Sequence, residues 1–163
     1  MPVKITAYDE SDIKQMIAVW NEVVRDGKAF PQTEELDEET GALFFSSQTV
    51  TETARKDDGE IVGLYILHPN NVGRCGHICN CSYAVKGGCR GLGTGEKLVR
   101  RSIEAGREKG FRILQFNAVV ASNKAALALY EKLGFTRLGV IPGGFRLDDG
   151  SYADIIPHYI SLL

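Results

Sequence analysis

Arg90-Gly91-Leu92-Gly93-Thr94-Gly95 is the stretch on which the reading of this chain turns. The apolar-rich segment 77–85 runs into it as a strand. Leu98, Ser102 and Ala105, flanked by Val99, Ile103 and Gly106, leave it at helical spacing, so a helix starts at Thr94 or Gly95. Glycines carry no side chain, so several backbone N–H groups can close on an anion, and the helix that follows adds the positive end of its dipole. A pyrophosphate is a natural occupant. A P-loop needs Gly-Lys followed by Ser or Thr, and the chain has Gly95-Glu96-Lys97-Leu98. A dinucleotide fingerprint needs a third glycine where Glu96 or Leu98 stands. The form Arg-x-x-Gly-x-Gly remains, beside the plain alternative of a glycine-rich turn joining strand to helix.

Upstream of the loop, Val3 to Tyr8 alternates as a strand. Asp9, Ser11 and Asp12 offer caps for a helix through Ile13, Met16, Ile17 and Trp20 that Gly27 ends. Residues 29–39 read as a loop followed by a short helix through Phe45. Val50 to Arg55 and Ile61 to Leu67 form a hairpin about Asp57-Asp58-Gly59. Downstream, Gly110 stops the helix, and Ile113 to Val120 is an apolar strand. Ser122 or Asn123 caps a further helix with the inner stripe Ala126, Leu129, Tyr130 and Leu133, ended by Gly134. Thr136 to Ile141 and Tyr152 to Ile160 are the last strands. This order predicts an α/β layered fold around a mixed, mostly antiparallel sheet flanked by helices, one domain over residues 1–163.

Arg90-x-x-Gly93-x-Gly95, followed some thirty residues later by Asn123-Lys-Ala-Ala-Leu-Ala-Leu-Tyr130-Glu-Lys-Leu-Gly134-Phe135, resembles the two cofactor elements of the GNAT N-acetyltransferases. The resemblance covers residues 60–163 and extends to the N-terminal third only in element order. It implies acetyl-CoA as co-substrate and an acetyl group moved to an amine. It further implies that Tyr83, Ala84 and Val85 offer backbone groups to the pantetheine arm, and that Arg90, Gly91, Gly93, Thr94 and Gly95 surround the pyrophosphate. Asn123 would touch the pantetheine or the thioester end, and Tyr130 would stand near the sulfur and protonate the departing thiolate. The insertion Lys86-Gly87-Gly88-Cys89 departs from relatives whose cofactor strand ends directly in the loop. More narrowly, His77, Asn80, Asn117 and Asn123 look similar to fungal acetyltransferases that detoxify proline analogues such as azetidine-2-carboxylate.

A thiol has a pKa near ~8.5, so a thiolate leaves with modest help and no covalent enzyme intermediate is needed. No Asp or Glu lies between Glu60 and Glu96, which leaves His77 as the imidazole available for base work. Asn80 and Asn117 can orient a substrate amine or carboxylate but take no proton. Each has a bland counterpart: strand-edge hydrogen bonding for the asparagines and His77, a core position for Tyr130, a structural place for His158. Cys75, His77, Cys79 and Cys81 suggest zinc, but on a strand alternate residues step about 6.8 Å, so the set would span about 20 Å around an ion with bonds near ~2.3 Å. No metal is expected.

The chain has 163 residues, 44% hydrophobic and 25% charged, with a formal net charge of -2. Without a basic arm, nucleic acid is not an expected partner. No apolar run is long enough to span a membrane and no secretory pattern opens the chain, so the expected place is the cytoplasm, with the four cysteines reduced. The expected acceptor is a small molecule carrying an amine beside a carboxylate, walled off by a loop around Phe30-Pro31-Gln32, and a homodimer is expected. The alternatives are a non-catalytic acyl-CoA-binding module and an enzyme acting on a peptide or protein amine.

Overall fold

The computed structural model describes residues 2–163. Seven strands form one sheet: β1 (Lys4–Ala7), β2 (Val50–Arg55), β3 (Ile61–Pro69), β4 (Ile78–Val85), β5 (Ile113–Phe116), β9 (His158–Ser161) and β6 (Thr136–Arg137), in that spatial order. Every neighbour pair is antiparallel except β4 and β5, which pair in parallel only at Ile78↔Ile113 and Cys79↔Leu114. Beyond that point the two strands diverge, and no strand covers the β5-facing edge of β4 over residues 80–85.

Strand alternation sorts the side chains into two layers. Cys79, Cys81, Leu114 and Phe116 lie in a core under α3 (Thr94–Glu108) and α4 (Lys124–Lys132), with Leu98, Val99 and Ile103 of α3. Ile61, Leu64, Ile66 and Ala84 face the other way, under α1 (Ile13–Asp26) and α2 (Glu38–Ser46), against Met16, Trp20 and Phe45. The expected mixed, mostly antiparallel sheet between helices is therefore present.

Local signals explain the helix ends. Asp37 caps α2 through Thr40 N–H, and Asn123 caps α4 through Ala126 N–H. Gly27, Gly110 and Gly134 follow their helices with φ of 63°, 83° and 88°, where a Cβ would strain the backbone.

The C-terminal third departs from the expectation. The strand from Ile113 stops at Phe116, because its neighbour β4 has already veered away; Val120 keeps only an isolated bridge to Ile155. The two expected closing strands are four. Thr136–Arg137 separates from β7 (Ile141–Arg146) at Gly139, whose φ is 133°, and β8 (Tyr152–Ile155) separates from β9 at Pro157, which has no N–H for a ladder. β7 and β8 pair as a hairpin outside the main sheet, over their own small cluster of Val120, Phe145 and Ile155.

Among the described residues no helix is long and apolar enough to cross a membrane. The cysteines do not converge. Cys75 lies exposed in a short turn before β4, Cys79 and Cys81 point under α3, and Cys89 is buried in the loop.

Candidate functional site

The divergence of β4 from β5 opens a cleft of about 660 Å³. One wall is Tyr83 and Val85 of β4. The other is Ser122, Asn123, Ala126 and Leu129, at the start and along one side of α4. The mouth is Arg90, Gly91, Gly93 and Gly95, faced by Asp26 and Lys28. Ala126 and Leu129 were expected to lie inside the core stripe of α4; only Leu127 is fully buried there, and the neighbouring side of the helix is turned to the cleft.

The mouth is shaped for an anion. Gly91 and Gly93 sit at φ of 75° and 85°, which favours glycine, and a Cβ at Gly91, Gly93 or Gly95 would meet nothing within 4 Å. The approach to these backbones is therefore open. Gly93 is the N-cap of α3 and supplies no side-chain acceptor. The N–H groups of the first turn of α3 thus lack a cap and face outward with the positive end of a 15-residue helix. A diphosphate suits this donor set, and the length and apolar walls of the cleft suit a chain attached to one.

Asn123 is divided between two tasks. Its carboxamide oxygen accepts from Ala126 N–H at 3.2 Å to cap α4, which leaves the NH₂ group on the cleft side.

At the apex of the divergence stands a cluster of neutral amides. Asn80 shares its strand face with Ala84, away from α3, and Asn117 extends the face of Ile113 and Gln115. Asn70, just past β3, joins them. Its Oδ1 accepts from Asn117 Nδ2 at 2.7 Å and from Asn80 Nδ2 at 3.3 Å, while Asn117 Oδ1 accepts from Gln115 Nε2 at 3.1 Å. Asn70 carried no signal in the sequence beyond its place in an Asn- and Gly-rich loop. Only the β3–β4 register, with His68 opposite Asn80, brings it there.

With this geometry in hand, the comparison with known proteins is direct. The Acetyltransferase (GNAT) family matches residues 16–135. The chain belongs to this family. It is 37% identical over 87 residues to the N-acetyltransferase aca1 of Schizosaccharomyces pombe, an alignment covering 53% of this chain and 42% of that protein. The aligned part is thus less than half the length of that relative. A GCN5-related N-acetyltransferase from Kribbella flavida superimposes with a TM-score of 0.89 at 26% identity, covering 98% of this chain and 97% of that one. A phosphinothricin acetyltransferase from Sinorhizobium meliloti, solved in complex with acetyl-CoA, superimposes with a TM-score of 0.90 at 19% identity, covering 99% and 89%. The matching family is one of acetyltransferases, and its Sinorhizobium meliloti neighbour holds acetyl-CoA.

In this acetyltransferase Tyr130 stands behind the cleft wall. Its ring packs on Phe116 at 4.5 Å, Phe135 at 5.4 Å and His158 at 5.7 Å between centroids. Burial raises its pKa well above the ordinary phenol value, so the hydroxyl stays protonated, and it has no hydrogen-bond partner among the described residues. Tyr83, by contrast, is committed: its hydroxyl lies 2.8 Å from Ser102 Oγ, and that oxygen spends its own proton on Val99 C=O. His158 is fully buried; Nδ1 donates to Ile156 C=O at 2.6 Å, Nε2 has no partner, and burial lowers its pKa.

His77 is not on the strand. It lies exposed in the turn before β4, six residues and about 20 Å of extended chain from Tyr83; like Asn80 and Asn117 it is outside the cleft lining. Its carbonyl, not its ring, is engaged, accepting from Arg112 N–H at 2.9 Å.

A second cleft of about 590 Å³ lies between residues 24–33 and the β7–β8 hairpin, lined by Pro31, Gln32, Arg146 and Asp148 among others. The expected loop is therefore in place, but Phe30 is an anchor: it is buried and stacks on Trp20 at 4.3 Å. Asn21 pins the far end of the loop through Leu36 N–H and C=O, both at 2.8 Å.

Proposed function

We propose that this enzyme transfers the acetyl group of acetyl-CoA directly to the amine of a small molecule that also carries a carboxylate, an amino or cyclic imino acid. The observation that carries this reading is the β4–β5 divergence, with backbone donors at its mouth and neutral amides at its apex. The loop Arg90–Gly95 holds the pyrophosphate through the N–H groups of Gly91, Gly93, Thr94 and Gly95 and through Arg90. The open edge of β4 at Tyr83, Ala84 and Val85 pairs with the amides of the pantetheine arm, and Asn123 NH₂ donates to it.

Acetyl-CoA supplies an activated thioester. The acceptor nitrogen bonds to the thioester carbon, the carbon–sulfur bond breaks, the nitrogen loses a proton and the sulfur gains one. The protonated hydroxyl of Tyr130, behind the cleft wall, is the donor we assign to the departing sulfur. Because its pKa lies above that of a thiol near ~8.5, full transfer of the phenolic proton is uphill, and its contribution is a hydrogen bond to the developing thiolate. Asn80 and Asn117 orient the acceptor. The proton from nitrogen passes to water, and the thiolate takes its proton from water in turn, with no role for His77. Phosphinothricin, the acceptor named for the Sinorhizobium meliloti relative, has the same pairing of amine and acid groups and supports the class.

The proposed setting is the cytoplasm. A homodimer is proposed through the exposed apolar group Leu138, Val140, Ile141 and Tyr152. Light scattering that gives a monomer at high concentration excludes it.

The test is thiol release from acetyl-CoA over amino acids, azetidine-2-carboxylate, phosphinothricin, polyamines, aminoglycosides and short peptides. Turnover is expected with free amino or imino acids and far less with their carboxamides. A best acceptor among polyamines or peptides with no free acid turned over removes the substrate class. Tight cofactor binding with no acceptor at all favours an acyl-CoA-binding module.

A further inference from the structure

Two carboxylates one turn apart on α1, Glu22 and Asp26, reach across to the phosphate loop. Glu22 Oε1 accepts from Gly87 N–H at 2.7 Å. The contact is so close that a Cβ at Gly87 would stand 2.4 Å from that oxygen, so the Lys86–Cys89 insertion is seated on Glu22 by having a glycine there. Asp26 Oδ2 accepts from Arg90 Nη1 at 3.2 Å, while Arg90 Nε donates to Val85 C=O at 3.1 Å. The guanidinium is thereby folded back on its own strand and on α1.

Asp26 is out of place by two physical criteria. A carboxylate on the last residue of a helix opposes the helix dipole. It also lines the same cleft mouth as the glycine backbones that suit an anion. The other carboxylate there, Glu96, is neutralised twice, by Arg100 at 2.8 Å and Lys132 at 2.6 Å. Among the described residues Asp26 pairs with one cation, Arg90.

We propose that Asp26 is a latch that holds Arg90 in the cofactor-free enzyme and competes with the pyrophosphate for it. Resting on the reading of Arg90–Gly95 as the pyrophosphate loop, this makes cofactor binding an exchange of partners. Arg90 leaves Asp26 for the diphosphate, and Asp26, now facing a like charge, is driven away. The displacement has a defined route. Asp26 is followed by Gly27, whose φ of 63° marks a turn, and a Cβ at Gly27 would lie 2.6 Å from Asp148 of the hairpin. Lys28 and Ala29 line the cofactor cleft, and Phe30 to Thr33 line the second cleft. Filling the mouth therefore acts on the segment that bounds the second cleft.

The signs of the effects test this. Calorimetric titration of Asp26→Asn with CoA should give binding about threefold to tenfold tighter than wild type, the scale of an exposed ion pair plus one removed repulsion. Asparagine at that helix end should leave the melting temperature unchanged or higher. Arg90→Gln should weaken binding, and in that background Asp26→Asn should gain clearly less than in wild type, only the direct repulsion, because the competition runs through Arg90. Glu22→Gln, which loosens the seat of Gly87, should weaken binding. Unchanged or weaker binding by folded Asp26→Asn overturns the latch. A gain that persists undiminished in Arg90→Gln, or one that Glu22→Gln shares, also overturns it by reducing the effect to general charge. Wild-type enzyme that fails to bind CoA removes the loop reading itself, a result separate from either.

Discussion

At the mouth of the β4–β5 divergence the groups turned to the cleft are backbone N–H groups around Gly91, Gly93 and Gly95. At its apex, beyond the residues that line the cleft, the carboxamides of Asn70, Asn80 and Asn117 bond to one another. The mouth is made by leaving side chains out, and the apex by placing them. A site of the first kind tolerates most changes of neighbouring side chains and is destroyed by adding one. A site of the second kind is degraded stepwise by truncation. The two ends therefore call for opposite kinds of mutation.

The largest effect is expected from filling the mouth. Gly95 is the position to use, because its backbone is helical and a Cβ there meets nothing, whereas Gly93 at φ 85° would add backbone strain. Gly95→Glu favours the helix by up to ~1 kcal/mol and puts a carboxylate where the pyrophosphate is proposed to sit. Acetyl-CoA binding should fall by more than about 10²-fold in a protein that melts no lower than wild type. A folded Gly95→Glu enzyme with unchanged calorimetric affinity would remove the anion site.

Between mouth and apex, Tyr130→Phe removes one hydroxyl and keeps the ring contacts with Phe116 and Phe135. Turnover should drop about 10²-fold with little change in the acetyl-CoA Michaelis constant, as for the loss of one donor to a developing anion. Intact turnover from pH 6 to 9 would mean that water serves the sulfur.

Truncating the apex should cost less. Asn70→Ala frees Asn80 and Asn117 from their shared acceptor, so their carboxamides lose a fixed direction. One or two neutral hydrogen bonds correspond to about a tenfold rise in the acceptor Michaelis constant, with turnover changed less. An equal fall in turnover with no change in that constant would place the cluster outside acceptor recognition.

The same contrast explains what could be read beforehand. The loop 90–95 and the helix 124–132 are legible because each is written in consecutive residues: glycines where φ is positive or the backbone must be open, an asparagine at a cap, apolar residues at helical spacing. The layered fold followed from the order of such segments. Asn70 was illegible because its role is a meeting with Asn117, 47 residues away, created by register. Phe30 lines the second cleft as its loop suggested, but nothing local revealed that it is also packed on Trp20. His77 read as part of the strand because Cys79 and Cys81 alternate behind it, yet the chain turns there to reach β4. The hairpin β7–β8 was hidden by Gly143 and Gly144, whose composition is that of a loop. In the fold, Gly144 lies so close to Ile155 that a Cβ would stand 2.4 Å from its side chain, so pairing requires the glycine.

The smallest effect concerns stability, and it separates the two faces of the sheet. The face under α3 buries groups that must not ionise. Burial pushes the Cys79 thiol up to about 12 and raises Cys81, Tyr83 and Tyr130 as well, while it lowers His158. For a raised acid, the unfolded chain loses its proton first. The thiols contribute stability that is complete below about 8.5 and is lost as pH rises toward their folded values. For His158 the order reverses: the unfolded imidazole takes a proton below about 6.5 while the folded one stays neutral, so stability is lost as pH falls from there. Melting temperatures between pH 5 and 11 should therefore show a plateau from about 6.5 to 8.5 with a decline on each side. Cys79→Ala should lower the plateau, because a buried atom is lost under α3, yet flatten the alkaline limb, because one ionisable group is gone. An alkaline limb equally steep in Cys79→Ala would show that this thiol is free to ionise in the fold, and the buried face would then be wetter than its packing implies.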